Sequence, residues 1–340
     1  MNRCARTTFV LALLATVAAL DLAAATPLRA QGEASLSATG LVLEETEDGL
    51  VLTLQGPVQV RYAGDSLDAD SAVVTLGDDL SSLEDALQSV ELSGNVRFAG
   101  RNGAAGSAGS AMYYARDGRV VLQGSARFSQ GGMTASAGSV EYSITGRHLS
   151  CSGGCSISQG ALSATAESAE YDLAQRTGSL AGSVEVRYRL SKTIFGDETI
   201  DEVSMRAGAL YISVADGEVK TPEGPSSSRT VMEAGAYTLE ADSVIFRIDE
   251  AGISDVSAEG RIDLNGPDMR LSADSLALST SDRVLHAEGD VSFAIRGQEG
   301  RAESVEVNFA TGWSIRLVGA SVEGTVTDEM RGAGEGGTGR

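Results

Sequence analysis

The stretch MTASAGSVEYSITGRHLSCSGGC, Met133–Cys155, decides how the rest of the chain is read. In AGSVEY (137–142), Val140 and Tyr142 share a face and Glu141 opposes them, the period-2 alternation of a half-buried strand. Thr145-Gly146-Arg147 reads as a turn, and a second extended run follows it to Cys155.

Relatives of both halves recur along the chain. The small-residue hexamer has nine copies: ATGLVL (38–43), ADSAVV (69–74), AGSAMY (108–113), AGSVEY (137–142), AESAEY (166–171), AGALYI (207–212), ADSVIF (241–246), ADSLAL (273–278) and AESVEV (302–307). Their starts lie 31, 39, 29, 29, 41, 34, 32 and 29 residues apart, a base period of 29 with insertions in the longer gaps. Between them recur LQGPVQV (54–60), LSGNVRF (92–98), LQGSARF (122–128), CSGGCSI (151–157), LAGSVEV (180–186), AEGRIDL (258–264) and AEGDVSF (287–293). A period of this size marks a stacked array. No crossover helix fits into 29 residues, so each repeat is two antiparallel strands. Only 5 prolines in 340 residues suits long hydrogen-bonded ladders, because proline removes a donor.

Glycine inside each LxG strand marks a bend or bulge. If every second strand bends at the same level, the stack becomes an all-β, elongated antiparallel jelly roll, V-shaped and partly open. The inner face then carries Val58, Val96, Phe98, Leu122, Phe128, Ile157, Val184, Val291 and Phe293 from the LxG strands. Val140, Tyr142, Val244, Phe246 and Leu276 join them from the hexamers. Charged residues such as Arg97 and Arg127 face outward.

Residues 1–30 read as a secretory signal peptide: Arg3 and Arg6 precede the apolar run Phe9–Leu20, and small residues follow. A retained N-terminal anchor is the alternative. Net charge is −21 at pH 7, and loss of Arg3, Arg6, Arg29 and Asp21 with the leader makes it more negative still. That acidity argues against nucleic-acid binding. The repeat domain runs over 31–326, with insertions near 77–89, 191–204 and 219–230. Ser81 and Glu84 in the first fit a capping box for a short helix. The tail 327–340 is read as disordered.

Cys151 and Cys155 take inward positions on one strand. In straight extended chain such residues lie ~13 Å apart, whereas a disulfide needs Cα atoms within about 7 Å. A bridge would need Ser152-Gly153-Gly154 to turn sharply, so two small buried thiols are the preferred reading.

No catalytic constellation is present. His148 and His286 sit at unrelated repeat positions without partners at metal-ligand spacing. No GxSxG, P-loop or HExxH occurs. The recurrent acid (Asp70, Glu167, Asp242, Asp274, Glu303) comes once per repeat, too sparse for calcium, and reads as a polar strand start. The expectation is a non-enzymatic protein with no metal and no cofactor.

The unit A-D/E-S-x-x-Y … L-x-G-N-V-x-F, best written in ELSGNVRFAG (91–100), AESAEYDLAQRTGSLAGSVEVRY (166–188) and ADSLALSTSDRVLHAEGDVSF (273–293), resembles the OstA-like repeat of the periplasmic lipopolysaccharide-transport proteins, the LptA/LptC type. The resemblance implies a twisted, partly open β-jelly roll in the periplasm. It also implies acyl chains of lipopolysaccharide or a related amphipathic glycolipid in an inner groove. Its implied partners are other β-jelly-roll transport proteins joined by edge-strand addition, or further copies head to tail. The residues themselves leave two rivals: a structural spacer with a self-filled core, and a glycan-active parallel β-helix, which would need clustered carboxylates on one wall.

Overall fold

Burial alternates along the strands as the side chains do. The computed structural model describes residues 34–323 apart from 47–48, 63–64, 78–85, 101–102, 144, 194–198, 223–228, 250–251 and 311–312. The leader, the tail 327–340 and most of the capping-box segment lie outside the described residues, as do the middles of the other two insertions. Two compact units divide between Gly178 and Ser179.

In the first unit, β1 (Ala34–Ser37) and β2 (Gly40–Thr46) pair with the two halves of β3 (Gly49–Tyr62). An unbroken antiparallel series follows through β4 (Asp65–Leu76), β5 (Leu87–Ala99), β6 (Ala105–Tyr114), β7 (Arg119–Gln130), β8 (Met133–Ser143), β9 (His148–Gln159) and β10 (Leu162–Asp172). Each 29-residue period is thus one hairpin. Turns alternate between tight ones, such as Gly131-Gly132 with φ of 58° and 82°, and longer ones. Positive φ at both central residues is what a two-residue hairpin turn demands.

The second unit is built from β11 (Thr177–Thr193), which starts just before the division, β12 (Thr199–Ser213), β13 (Glu218–Lys220), β14 (Thr230–Ala234), β15 (Tyr237–Ala241) and β16 (Ser243–Asp249). β17 (Gly252–Asn265), β18 (Met269–Ser279), β19 (Val284–Ile295) and β20 (Gln298–Asn308) then pair in sequence, and β21 (Ser314–Val318) and β22 (Ser321–Glu323) both pair with β20. β13 and β14 pair with different stretches of β12. Together they stand where the repeat lacks an LxG copy, between the hexamers at 207 and 241. Of the insertion read at 219–230, residues 219–220 belong to β13 and Thr230 to β14. Just after β13, buried Thr221 accepts the Val244 amide on its Oγ1 at 3.1 Å and bonds Ser243 Oγ at 2.9 Å.

The expected bend at the LxG glycine is a bulge of two residues against one. Ser93 and Val96 of β5 face Ser110 and Ala108 of β6, so Gly94 and Asn95 together oppose Gly109. The same count recurs at Gly124-Ser125, Gly153-Gly154, Gly260-Arg261 and Gly289-Asp290. Both residues of each bulge have positive φ, 74° and 47° at Gly94 and Asn95, and 80° and 42° at Gly289 and Asp290. Beside each bulge the buried set of the plain strand slips by one residue. β8 buries Met133, Ala135 and Ala137, then Val140 and Tyr142; β18 buries Met269, Leu271 and Ala273, then Leu276 and Leu278. A one-residue slip would turn the apolar set to the other face of a flat sheet. The added twist of the bulge turns the strand with it, so one core is kept.

The recurrent acid now has a structural role. Asp70 lies over Gly94, Asp242 over Gly260 and Asp274 over Gly289; a Cβ on these glycines would stand 2.3, 2.7 and 2.5 Å from the carboxylate. Asn95 Nδ2 donates to Asp70 at 2.8 Å, and Arg261 Nε donates to both oxygens of Asp242 at 3.0 Å. Where the hexamer carries glycine, backbone meets backbone instead, as at Gly138 and Gly153. The hydrogen bond from Arg261 holds the Asp242 carboxyl below its ordinary range. A pKa lower in the folded chain means the pair stabilises above about pH 4 and is lost as pH falls through the folded value. Asp242→Asn should therefore flatten part of the acid limb in denaturant unfolding at graded pH. At neutral pH the change should be small, because the pair is exposed.

Candidate functional site

Strand pairing carries the inward residues into continuous rows. In the first unit one row runs Leu54, Ala72, Leu92, Ala111, Leu122, Val140, Cys151, Ala169 from β3 to β10, all buried. Bulged strands supply mostly the large member and hexamer strands the small one. A second row runs Phe98, Gly106, Phe128, Ala135, Ile157, Ala164. Gly106 is the close-approach position here: a Cβ on it would lie 2.2 Å from the Phe98 ring. That gap lets Phe98 and Phe128 come within 6.3 Å, and Tyr142 meets Phe128 at 4.9 Å. In the second unit Val244, Ala258, Leu276, Ala287 and Val305 form one row, and Phe246, Val256, Leu278, Leu285 and Val307 the next.

Of the residues assigned to the interior from sequence, Val58, Val96, Leu122, Phe128, Val140, Tyr142, Val184, Val244, Phe246, Leu276, Val291 and Phe293 are buried. Phe98 and Ile157 are only half-buried. Ile157 stands between Ala135 and Ala164, which are too short to cover it. Phe98 leans over a glycine that leaves its edge open. Sequence reading left unassigned the interior of the β14–β15 hairpin, Met232, Tyr237 and Leu239, because its repeat copy is broken by the insertion. These three join Ile253, Leu264 and Leu285 around an apolar space of about 30 Å³.

Polar chemistry inside is sparse. Among the described residues no group of three or more His, Cys, Asp or Glu is placed to hold a metal ion. His286 pairs with Glu288 at 2.8 Å on the exposed face. No helix of the described residues is long and apolar enough to cross a membrane.

The outer strands of each unit differ from the inner ones. Among the described residues β2 pairs with β3 alone, and β21 and β22 with β20 alone. The large hydrophobic side chains left exposed, Leu41, Val42 and Val318, sit on β2 and β21.

Residues 36–148 match the family described as LptA/(LptD N-terminal domain) LPS transport protein. The OstA-like resemblance read from the repeats is therefore borne out over the first four hexamers and the strands between them. Among solved structures, the chain is similar to LptH, the LptA-homologous periplasmic component of the lipopolysaccharide transport device of Pseudomonas aeruginosa. Identity is 11%, over 48% of this chain and 94% of that one, with a TM-score of 0.24. No curated protein matches the chain.

Proposed function

We propose that this chain is a periplasmic, non-enzymatic lipid carrier that shelters acyl chains of lipopolysaccharide or a related glycolipid on the way to the outer membrane. The observation that carries the reading is the match of residues 36–148 to a lipopolysaccharide-transport domain whose strands here bear the continuous apolar rows. A lining of small and large side chains in alternation, without buried charge, suits methylene chains, which need apolar area and no directional partners. The edges of β2 and β21 that have no partner among the described residues, with Leu41, Val42 and Val318 exposed, suit β-augmentation by another jelly-roll transport protein or a further copy.

Photo-crosslinking side chains at Val96, Leu122 and Val184 should capture lipid in cells, and those at the exposed Arg97 and Arg127 should not. Equal labelling at inner and outer positions would remove the carrier reading.

One observation favours the rival, a spacer with a self-filled core. The apolar space described in the second unit amounts to about 30 Å³ among packed side chains. At that place a lipid would enter only as side chains moved apart. Native mass spectrometry of protein from its source separates the two readings, since a spacer carries no lipid.

A further inference from the structure

The first unit folds its ladder back on itself. Tyr171 stands opposite Leu149, and Gln159 stands opposite Leu162, nine positions away along β10 and roughly 30 Å on a flat strand. Yet Tyr171 Oη donates to Gln159 Oε1 at 3.2 Å. Phe128 likewise faces Ala135, seven positions from Tyr142 on β8, and the two rings lie 4.9 Å apart. The bulges therefore bring the far halves of these strands into contact. The seam where they meet lies just inside both sets of turns, since Tyr171 precedes one turn and Gln159 another.

The two rims of the seam differ in charge. The tight turns at 130–133 and 159–162 carry none. The longer turns that lead into β7, β9 and β11 carry Arg116, Arg147 and Arg176, all exposed, in a chain of net charge −21. These turns stand side by side: Thr145 Oγ1 donates to the Asp117 carbonyl at 3.5 Å, and the Leu173 amide to the Arg147 carbonyl at 2.8 Å. Two acids share them, Asp117 and Asp172. Asp172 turns Oδ1 onto the Ala174 and Gln175 amides at 2.7 and 2.8 Å. Arg119, by contrast, is committed to Glu141 at 3.2 Å. Arg147 and Arg176 have φ of 49° and 60°, at the place where the first of these turns has Gly118 with 56°. Glycine takes that conformation at no steric cost, so the backbone does not ask for arginine there.

We propose that this rim is a headgroup site. Arg116, Arg147 and Arg176 hold the anionic headgroup, phosphate or carboxylate, of an amphipath whose acyl chain enters through the seam beneath them. A guanidinium fork pairs with either oxyanion through two parallel hydrogen bonds, which suits a planar or tetrahedral anion better than a point charge would. Successive turns of one rim lie two strands apart, ~10 Å, so the three arginines span a headgroup larger than one phosphate. The neutral opposite rim leaves the anion one side on which to settle. The inference rests on the carrier reading and adds to it which end of the cargo the first unit recognises.

The test is calorimetric titration of the full chain with dodecyl phosphate, dodecyl maltoside and inorganic phosphate, each amphipath kept below its micelle-forming concentration. Dodecyl phosphate should bind roughly tenfold tighter than the neutral maltoside, the scale of one charge-assisted contact, and the advantage should shrink as salt is raised. In the triple variant Arg116→Gln, Arg147→Gly, Arg176→Gly the advantage should vanish while dodecyl maltoside binds as before. The denaturant midpoint of that variant should match the wild type, because glycine suits both backbone positions. The salt series asks the same question of the unaltered chain, should the variant fold poorly. Equal binding of the two amphipaths by the wild type overturns the headgroup site and leaves the carrier reading standing. So does a triple variant that loses both equally, or one that keeps the full advantage. Inorganic phosphate binding as tightly as dodecyl phosphate would make the rim a site for free anions and overturn it as well. Binding of neither amphipath overturns the carrier reading and the headgroup site together.

Discussion

Gly289→Val is expected to lower the unfolding free energy by about 3 kcal/mol, seen as a fall in the denaturant midpoint without a change in slope. Two costs add. Gly289 has φ of 80°, where an L residue, and a β-branched one above all, is strained by roughly 1–2 kcal/mol. The new Cβ would also stand 2.5 Å from Asp274 Oδ2 and 2.8 Å from Asp274 Cβ, so the whole aspartate must leave its seat. Overpacking of this kind costs about 1–3 kcal/mol. The double variant Gly289→Val with Asp274→Gly separates the two, because it leaves only backbone opposite the new Cβ, as for a Cβ on Gly153, which would meet Gly138 backbone no closer than 3.4 Å. Removal of the clash should return about half of the loss and leave the backbone strain, a coupling that a double-mutant cycle reads directly. Full additivity would mean that the acid does not seat on the bulge.

That pairing explains which parts of the fold were legible in the sequence. The hairpins were, because a strand's side chains alternate and its turns need glycine, and both signals repeat every 29 residues. Twelve of the fourteen interior residues were legible for the same reason. The bulge count was not: a glycine marks a departure from the ladder, but the number of residues opposed to it depends on the neighbouring strand. Nor was the role of Asp70, Asp242 and Asp274, whose partners Gly94, Gly260 and Gly289 belong to other strands. β13 and β14 escaped because an insertion splits the copy at the level where a bulge belongs. Phe98 and Ile157 were placed by parity alone, and parity says which face a side chain takes and nothing about what covers it.

Phe128→Ala is expected to cost about 4 kcal/mol, the upper part of the range for a truncated core aromatic. Phe128 is 2% exposed, sits over Gly106, and contacts Phe98 and Tyr142, so its ring has no substitute when it goes. Phe98→Ala should cost less than half as much, because half-buried Phe98 already gives part of its surface to solvent. The contrast also bears on what the interior is for. The space left by the Phe128 ring would open onto the row that includes Ile157 and Ala164, and an apolar space of that kind stays dry and takes apolar guests. If lipid enters between the walls, saturating lipopolysaccharide should restore much of the Phe128→Ala deficit, since ligand bound to the folded state alone adds stability by mass action. The wild type, with the ring in place, should gain less. If the core is sealed and self-filled, the deficit measured by denaturant unfolding should be the same with lipid and without it.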